Sequence, residues 1–442
     1  MKNSERQART LLEALIWERR WTHRDFCERY AEAADELDEA VSVTPQHVSR
    51  WLGGKLKGLP YPAQCRVLEH MFREDAALLF AAPGSEPTDN PSPASRSGTS
   101  SPGEEVATAA SESARFAQFA EQTNVGPHTL EQFEADLRRI VVTYPNRPVY
   151  PLFVELRQLR NRSFELLEGR QHPAQTKDLY LVAGLLCGVL ANASFDLGWL
   201  DAAETQSRTA FLCAELAGHN ALRAWIRGTQ SLIAYWDDRP RAAVDFAADG
   251  WRYIPESGTA RVRLAAIEAR ARGRMRDATG VRSALHRAEE ARASVAGPDE
   301  PGGMMAFPEA KQMFYAATAR LWLGGPDAHR EAERDAAEAV TAYEQASAEQ
   351  RRIGELCLAR LDLAAARLAG QQLEGTAEQV QEVLEVSSRR RTDSVARRLH
   401  QVAATLERPQ YRDAPLAQDL RDEITAYLRK PTVAALPPGN GQ

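Results

Sequence analysis

The chain of 442 residues is 43% hydrophobic and 26% charged, a balance that excludes a disordered polymer and leaves room for two or three folded domains. Its net charge of −6 excludes a global basic field, so any nucleic-acid site depends on local segregation of charge. Five scattered cysteines (Cys27, Cys65, Cys187, Cys213, Cys357) with no C-x-x-C pair argue against a disulfide framework or a zinc site and fit a reducing cytoplasm. The polar N-terminus and the lack of an eighteen-residue apolar run are expected of a protein that is neither exported nor membrane-spanning.

The first predicted helix carries Ala8, Leu11, Leu12, Leu15 and Ile16 at helical spacing. A second opens at Thr22 with the capping pattern T-x-x-D, completed by Asp25, and turns Phe26, Cys27 and Tyr30 inward. The acidic stretch AEAADELDEA (31 to 40) either lengthens that helix or follows it as an insertion. From Ala40 to Leu68 there is then no Asp or Glu at all. Within this window Thr44-Pro45 starts a helix to about Leu52, with Val43 and Val48 placed as a hydrophobic staple. Val48, Trp51 and Leu52 form its apolar stripe, and Gln46, His47, Ser49 and Arg50 its polar face. Those polar side chains can hydrogen-bond base edges in a major groove, while Lys55 and Lys57 in the following Gly-rich loop can reach phosphates. A carboxylate here would repel the DNA backbone. A further helix, in LPYPAQCRVLEHMF, closes the core with Val67, Leu68, Met71 and Phe72.

This order resembles the helix-turn-helix of the phage-repressor or XRE class over roughly residues 6 to 80, with Thr44, Trp51 and Gly54 standing at the T-x-x-x-x-x-x-W-x-x-G positions of the reading helix. The resemblance implies contact with a double-stranded DNA operator and adds Thr44 to the candidate residues. Two features stand against a standard head: about ten extra residues between Thr22 and Val43, and a head balance of twelve Lys and Arg against thirteen Asp and Glu over residues 1 to 80. A small protein-interaction module is the alternative.

Residues 81 to 113, almost wholly Pro, Ser, Gly, Ala, Thr and acids, are expected to form a flexible, disordered linker between a head (1 to 80) and a helical body (114 to 430), with a disordered tail at 431 to 442. The body is expected to be all-α. TLEQFEADLRRIVVTYP places Leu130, Phe133, Leu137, Ile140 and Val141 on one face, and YPLFVELRQLRNRSFELLEG follows, closed by Gly169. Beyond Asp178 a pattern recurs: a corner residue, a small residue five on, and a small or apolar residue seven further. Its copies are Gly198, Ala203, Ala210; Asp238, Ala243, Gly250; Gly273, Ala278, Leu285; Asp327, Ala332, Ala339; and Gln372, Ala377, Leu384. The widest gap holds the insertion AGPDEPGGMMAFP (296 to 308). Small residues at such places let antiparallel helices approach closely, in a solenoid or in a plain helical bundle.

The spacing resembles tetratricopeptide repeats (TPR). Laid on the chain, that register implies a concave surface bearing Asn192, Trp225, Tyr235, Arg263, Arg270 and Phe314. The Asn amide suits a peptide backbone, the arginines a carboxylate and the aromatics apolar side chains, so the implied effector is a signalling peptide or a small molecule. The same residues serve equally to join helices or to face a partner subunit. Phrases such as RWTHRDFCERY, HVSRWLGG and DLYLVAGLLCGVLANASFDLGWLDAAE resemble a group of actinobacterial XRE-family regulators with TPR bodies, linked to differentiation and secondary metabolism. That likeness implies a homodimeric, nucleoid-associated transcription regulator that senses a signal. A cytoplasmic TPR scaffold without DNA binding is the competing function.

There is no H-E-x-x-H, P-loop, strand-borne G-x-G-x-x-G or G-x-S-x-G, so neither enzyme, cofactor nor metal is expected. His219 reads as a helix-end residue, and the basic run SSRRRTDSVARR (387 to 398) as a solvated helix face.

Overall fold

The computed structural model describes residues 8–37, 39, 41–53, 59–83, 102–347, 350–387 and 390–429. Among them there is no strand; the chain is all-helical and divides into two units, 1–110 and 111–442. The tail at 431 to 442 and residues 84–101 of the expected linker lie outside the described residues.

The first unit contains α1 (Leu11–Glu18), α2 (His23–Glu36), α3 (Pro45–Leu52), α4 (Pro62–Phe72) and α5 (Ala76–Leu79). Threonines begin the first three. Thr10, Thr22 and Thr44 each take up an amide of the first turn, and at Thr22 and Thr44 the cap is reciprocal, through Asp25 and His47. Ala8, expected in the first helix, precedes the cap at Thr10 and lies outside it. Leu12, Ile16, Phe26, Tyr30, Val43, Val48, Trp51, Leu52, Val67, Leu68 and Phe72 share one buried core. Within it the Trp51 ring lies 6.1 Å from Tyr30 and meets Phe80 edge-on at 6.0 Å. The acidic stretch lengthens α2: Ala33 and Ala34 are buried, so the helix continues to Glu36 because it has a face to bury. Glu36 and Glu39 then pair with His70 (2.9 Å) and Arg66 (2.7 Å) of α4.

From Pro102 the chain is helical again, in α6 (Pro102–Ala120), which corrects the expectation of an irregular linker over 102–113. Pro at the first turn and the Ala-rich run ATAASESARFAQFA favour a helix locally, a preference that the Ser and Thr content hides.

The second unit continues with α7 (Pro127–Thr143), α8 (Val149–Leu167), α9 (Pro173–Asp196), α10 (Leu200–Leu216), α11 (Asn220–Trp236), α12 (Pro240–Gly250), α13 (Ala260–Arg274) and α14 (Ala278–Ala293). A 3-10 turn, η1 (Gly303–Met305), leads to α15 (Glu309–Leu323), α16 (Pro326–Gln345), α17 (Ile353–Ala369), α18 (Leu373–Val386), α19 (Asp393–Leu406) and α20 (Pro415–Leu428). Consecutive helices from α8 to α18 pack on one another. The odd-numbered ones also touch in sequence, α9 on α11, α11 on α13, α13 on α15, α15 on α17 and α17 on α19, and α19 returns to touch α9. By length and composition α9 could cross a membrane, but 72% of its apolar window is buried inside this unit.

The corners obey one rule. The left-handed residue stands two places before the next helix: Gly198 (φ 86°), Asp238 (56°), Arg276 (57°) and Gln371 (61°). This keeps the first two copies of the sequence pattern, with Ala203, Ala210 and Ala243 fully buried and Gly250 buried beside them, and corrects the rest. The third copy runs Arg276, Val281, Ala288, whereas Ala278 is exposed and Leu285 only half-buried. Gly273 lies inside α13, where a Cβ would come within 2.5 Å of the Ala319 carbonyl oxygen: its role is close helix approach, not the turn. The fifth copy shifts by one, to Gln371, Thr376, Val383. In the fourth, Gly324 and Gly325 make the turn and Asp327 already belongs to α16, while Ala332 and Ala339 are buried as expected.

The insertion at 296 to 308 is fastened at several points. Asp299 accepts from the Thr259 amide (2.7 Å) and hydroxyl, Met305 and Phe307 are buried, and η1 packs on α7.

Candidate functional site

In the first unit, α3 presents its polar face outward: Thr44, Gln46, His47, Ser49 and Arg50 are all exposed, while Val48, Trp51 and Leu52 point into the core. The cap occupies the Thr44 hydroxyl, which accepts the His47 amide at 3.4 Å, and His47 Nδ1, which accepts the Thr44 amide at 3.4 Å. Gln46, Ser49 and Arg50 make no side-chain hydrogen bond or ion pair among the described residues. Lys55 and Lys57 lie outside the described residues. Among the described residues of the acidic stretch, Glu36 and Glu39 form ion pairs, both with α4, and α3 itself carries no acid.

In the second unit a cavity of about 90 Å³ lies among α9, α11, α13, α15, α17 and the segment entering α19. Two ionic hubs line it. Asp196 accepts from Arg390 Nη2 (3.0 Å), Tyr144 Oη (2.9 Å) and Asn192 Nδ2 (3.5 Å), and Arg390, 5% exposed, also donates Nε–H to the Arg147 carbonyl (3.2 Å). Burial, with the Asp196 charge beside it, pushes the Tyr144 hydroxyl well above its ordinary pKa, so it stays a donor. Glu355 accepts from Lys311 Nζ (2.6 Å), Arg352 Nη1 (3.2 Å) and Tyr343 Oη (2.8 Å). Burial alone would raise its pKa; Lys311, then Arg352 and the hydrogen bonds, pull it down to about 2.

Arg270 is the third charged feature. It is 2% exposed and stacked between the rings of Tyr235 (4.4 Å) and Tyr315 (4.2 Å). No carboxylate oxygen lies within ion-pairing distance of its guanidinium among the described residues, and its Nε has no partner. Asp362, whose charge reaches it, is bonded instead to Arg398 Nη2 (2.5 Å) and to Thr318.

No family model matches the chain, and no curated protein matches it.

Of the six residues expected on one concave surface, the cavity brings together Asn192, Arg270 and Phe314. The other three join helices. Arg263 is buried, donating to the Trp225 carbonyl (2.5 Å) and Thr229 Oγ1 (3.1 Å), and burial lowers its pKa to about 10, which leaves it a cation at neutral pH. Trp225 lies under Arg263 and lines a different pocket, near His219 and Met305; Tyr235 accepts from Trp322 Nε1 (2.8 Å). His219 is a helix-end residue, its Nδ1 capping α11 at Leu222 (3.0 Å). Among its described residues the basic run is not a solvated face. Arg390 and Arg398 are buried on carboxylates, Arg391 donates to the Tyr427 carbonyl and Arg397 to the Trp236 carbonyl. Tyr144, Asp196, Glu355 and Arg390 were missed because they meet only in three dimensions. The signal within reach of sequence was an excess of charged residues on otherwise apolar, Ala-rich helices.

Glu355 carries a pH prediction. Its folded pKa is depressed, so its contribution is complete above the unfolded value near 4.5 and disappears as pH falls toward about 2. Wild type should exceed Glu355→Gln in stability at pH 5 by roughly 2 kcal/mol, allowing for solvent screening of a side chain still 18% exposed, and most of the gap, though not all of it, should be lost by pH 2.5. Urea unfolding at the two pH values measures it; a constant gap would remove the Lys311 and Arg352 pairing as its cause.

Proposed function

We propose that the chain is a sequence-specific DNA-binding transcription regulator of the cytoplasm. Its first unit is a helix-turn-helix of the phage-repressor type with α3 as reading helix. Its second is a TPR-like helical repeat body that dimerises the protein and senses a small effector. The observation that carries this is the outer face of α3: Gln46, Ser49 and Arg50 are exposed and have no hydrogen-bond or ion-pair partner among the described residues, and the nearby Glu36 and Glu39 pair with α4. Unpaired amide, hydroxyl and guanidinium groups on a short, rigidly capped helix are the groups that read base edges, and an arginine gives the bidentate contact to guanine.

Arg50→Ala should weaken specific binding by about 1–3 kcal/mol, roughly 5- to 150-fold, with the fold intact. The measurement is a gel shift on fragments selected from genomic DNA, at two salt concentrations, since phosphate contacts make affinity fall steeply with salt. Undiminished binding by the variant would remove α3 as the reading element. No salt-dependent DNA binding by wild type would favour the protein scaffold instead.

A further inference from the structure

We propose that the central cavity of the second unit binds a carboxylate borne on a small apolar group, received by Arg270; this deepens the reading of that unit as a sensor and rests on it. A buried guanidinium is costly unless its charge and its donors are answered. Arg270 is 2% exposed and lines the cavity, yet it forms no ion pair among the described residues and its Nε is unpartnered. The guanidinium lies over the Tyr235 and Tyr315 rings, at 4.4 and 4.2 Å, and the group that pairs best with a guanidinium is a planar two-oxygen acceptor.

The other acids of the lining cannot serve it. Glu355 is taken by Lys311, Arg352 and Tyr343, and Asp196 by Arg390, Tyr144 and Asn192. Four cations therefore face two carboxylates around one small space. Asp196 and Glu355 would repel a dianion such as phosphate, whereas a single carboxylate matches Arg270, the one cation of the four that neither of these acids contacts. Leu232, Trp236, Phe314 and Leu358 supply the apolar wall. At about 90 Å³ the space is smaller than a cavity of about 150 Å³ that holds benzene, which sets the apolar part at a few carbons. A free short-chain acid and the C-terminal residue of a short peptide share this chemistry.

The test is thermal melting of the full chain at fixed ionic strength, titrated with isobutyrate, N-acetylglycylvaline, its C-terminal amide, or inorganic phosphate. Isobutyrate or the peptide acid should raise Tm saturably; a rise from the peptide alone assigns the peptide source and one from both the free acid. Arg270→Gln should lower the affinity at least tenfold. Leu358→Trp, which fills the cavity and leaves the cation in place, should do the same if Arg270→Gln does not fold. No saturable rise from either acid, an equal rise from the amide or from phosphate, or a rise unchanged in the variants would overturn the proposal. Because the titration contains no DNA, failure of specific DNA binding would overturn the regulator reading and leave this result standing.

Discussion

Trp51→Ala should unfold the first unit, at a cost of about 3–5 kcal/mol. The indole is only 6% exposed and packs on Tyr30 and Phe80, which come from α2 and from beyond α5, so its removal opens a cavity that three helices share. Units of this size are marginal, with totals of roughly 5–15 kcal/mol, and a loss of that order takes a large part of the whole. The helix that carries Gln46 and Arg50 is eight residues long, too short to persist without its packing. DNA binding should therefore vanish with the fold, in contrast to Arg50→Ala, which leaves it. Near-ultraviolet circular dichroism followed through denaturant reports the packing of the aromatic cluster; an unchanged midpoint for Trp51→Ala would mean that the ring is not a core element.

The second large effect is expected in the other unit. Asp196→Ala should destabilise it by about 3–5 kcal/mol, because it leaves Arg390 buried with no carboxylate and the Tyr144 hydroxyl without its acceptor. What is lost is compensation, so the double variant Asp196→Leu, Arg390→Met should recover at least half of the deficit even though it removes the ion pair altogether. Chemical unfolding of the wild type and the variants gives the comparison. A double variant as unstable as the sum of its two single changes would show that the pair acts through its geometry and not through answering a buried charge.

The legible parts of this molecule are local ones. The start of α3 is written in Thr44-Pro45 and its inner face in Val48, Trp51 and Leu52, all within one turn or two. Corners at Gly198 and Asp238 were legible because those residue types favour left-handed backbone. Arg276 and Gln371 adopt the same conformation with side chains that give no sign of it, which displaced the third and fifth copies of the pattern. The cavity was half legible. Arg270 and Phe314 follow from helix register, but Asp196 and Arg390 are 194 positions apart, and nothing in SSRRRTDSVARR distinguishes an arginine that will be buried from one that will not. A charge run reads as surface when no partner carboxylate is near in sequence, and the partner of Arg390 arrives from another helix far back in the chain.

The return of α19 to α9 changes how this unit comes apart. A stack in which each element touches only its neighbours frays from its two free ends, and its melting spreads over a series of partial states. Here the first and last inner helices hold one another: Arg390 sits on Asp196, Asp393 crowds Gly198 and Arg397 reaches the Trp236 carbonyl. Neither terminus of the row is free to peel away first, so heat should dismantle it in a single cooperative step, and a blade of helices that would otherwise stretch like a spring is held at a fixed circumference. The same closure joins segments nearly two hundred residues apart, a long-range pairing whose entropy must be met before any reward, so assembly should be slow for an all-helical chain.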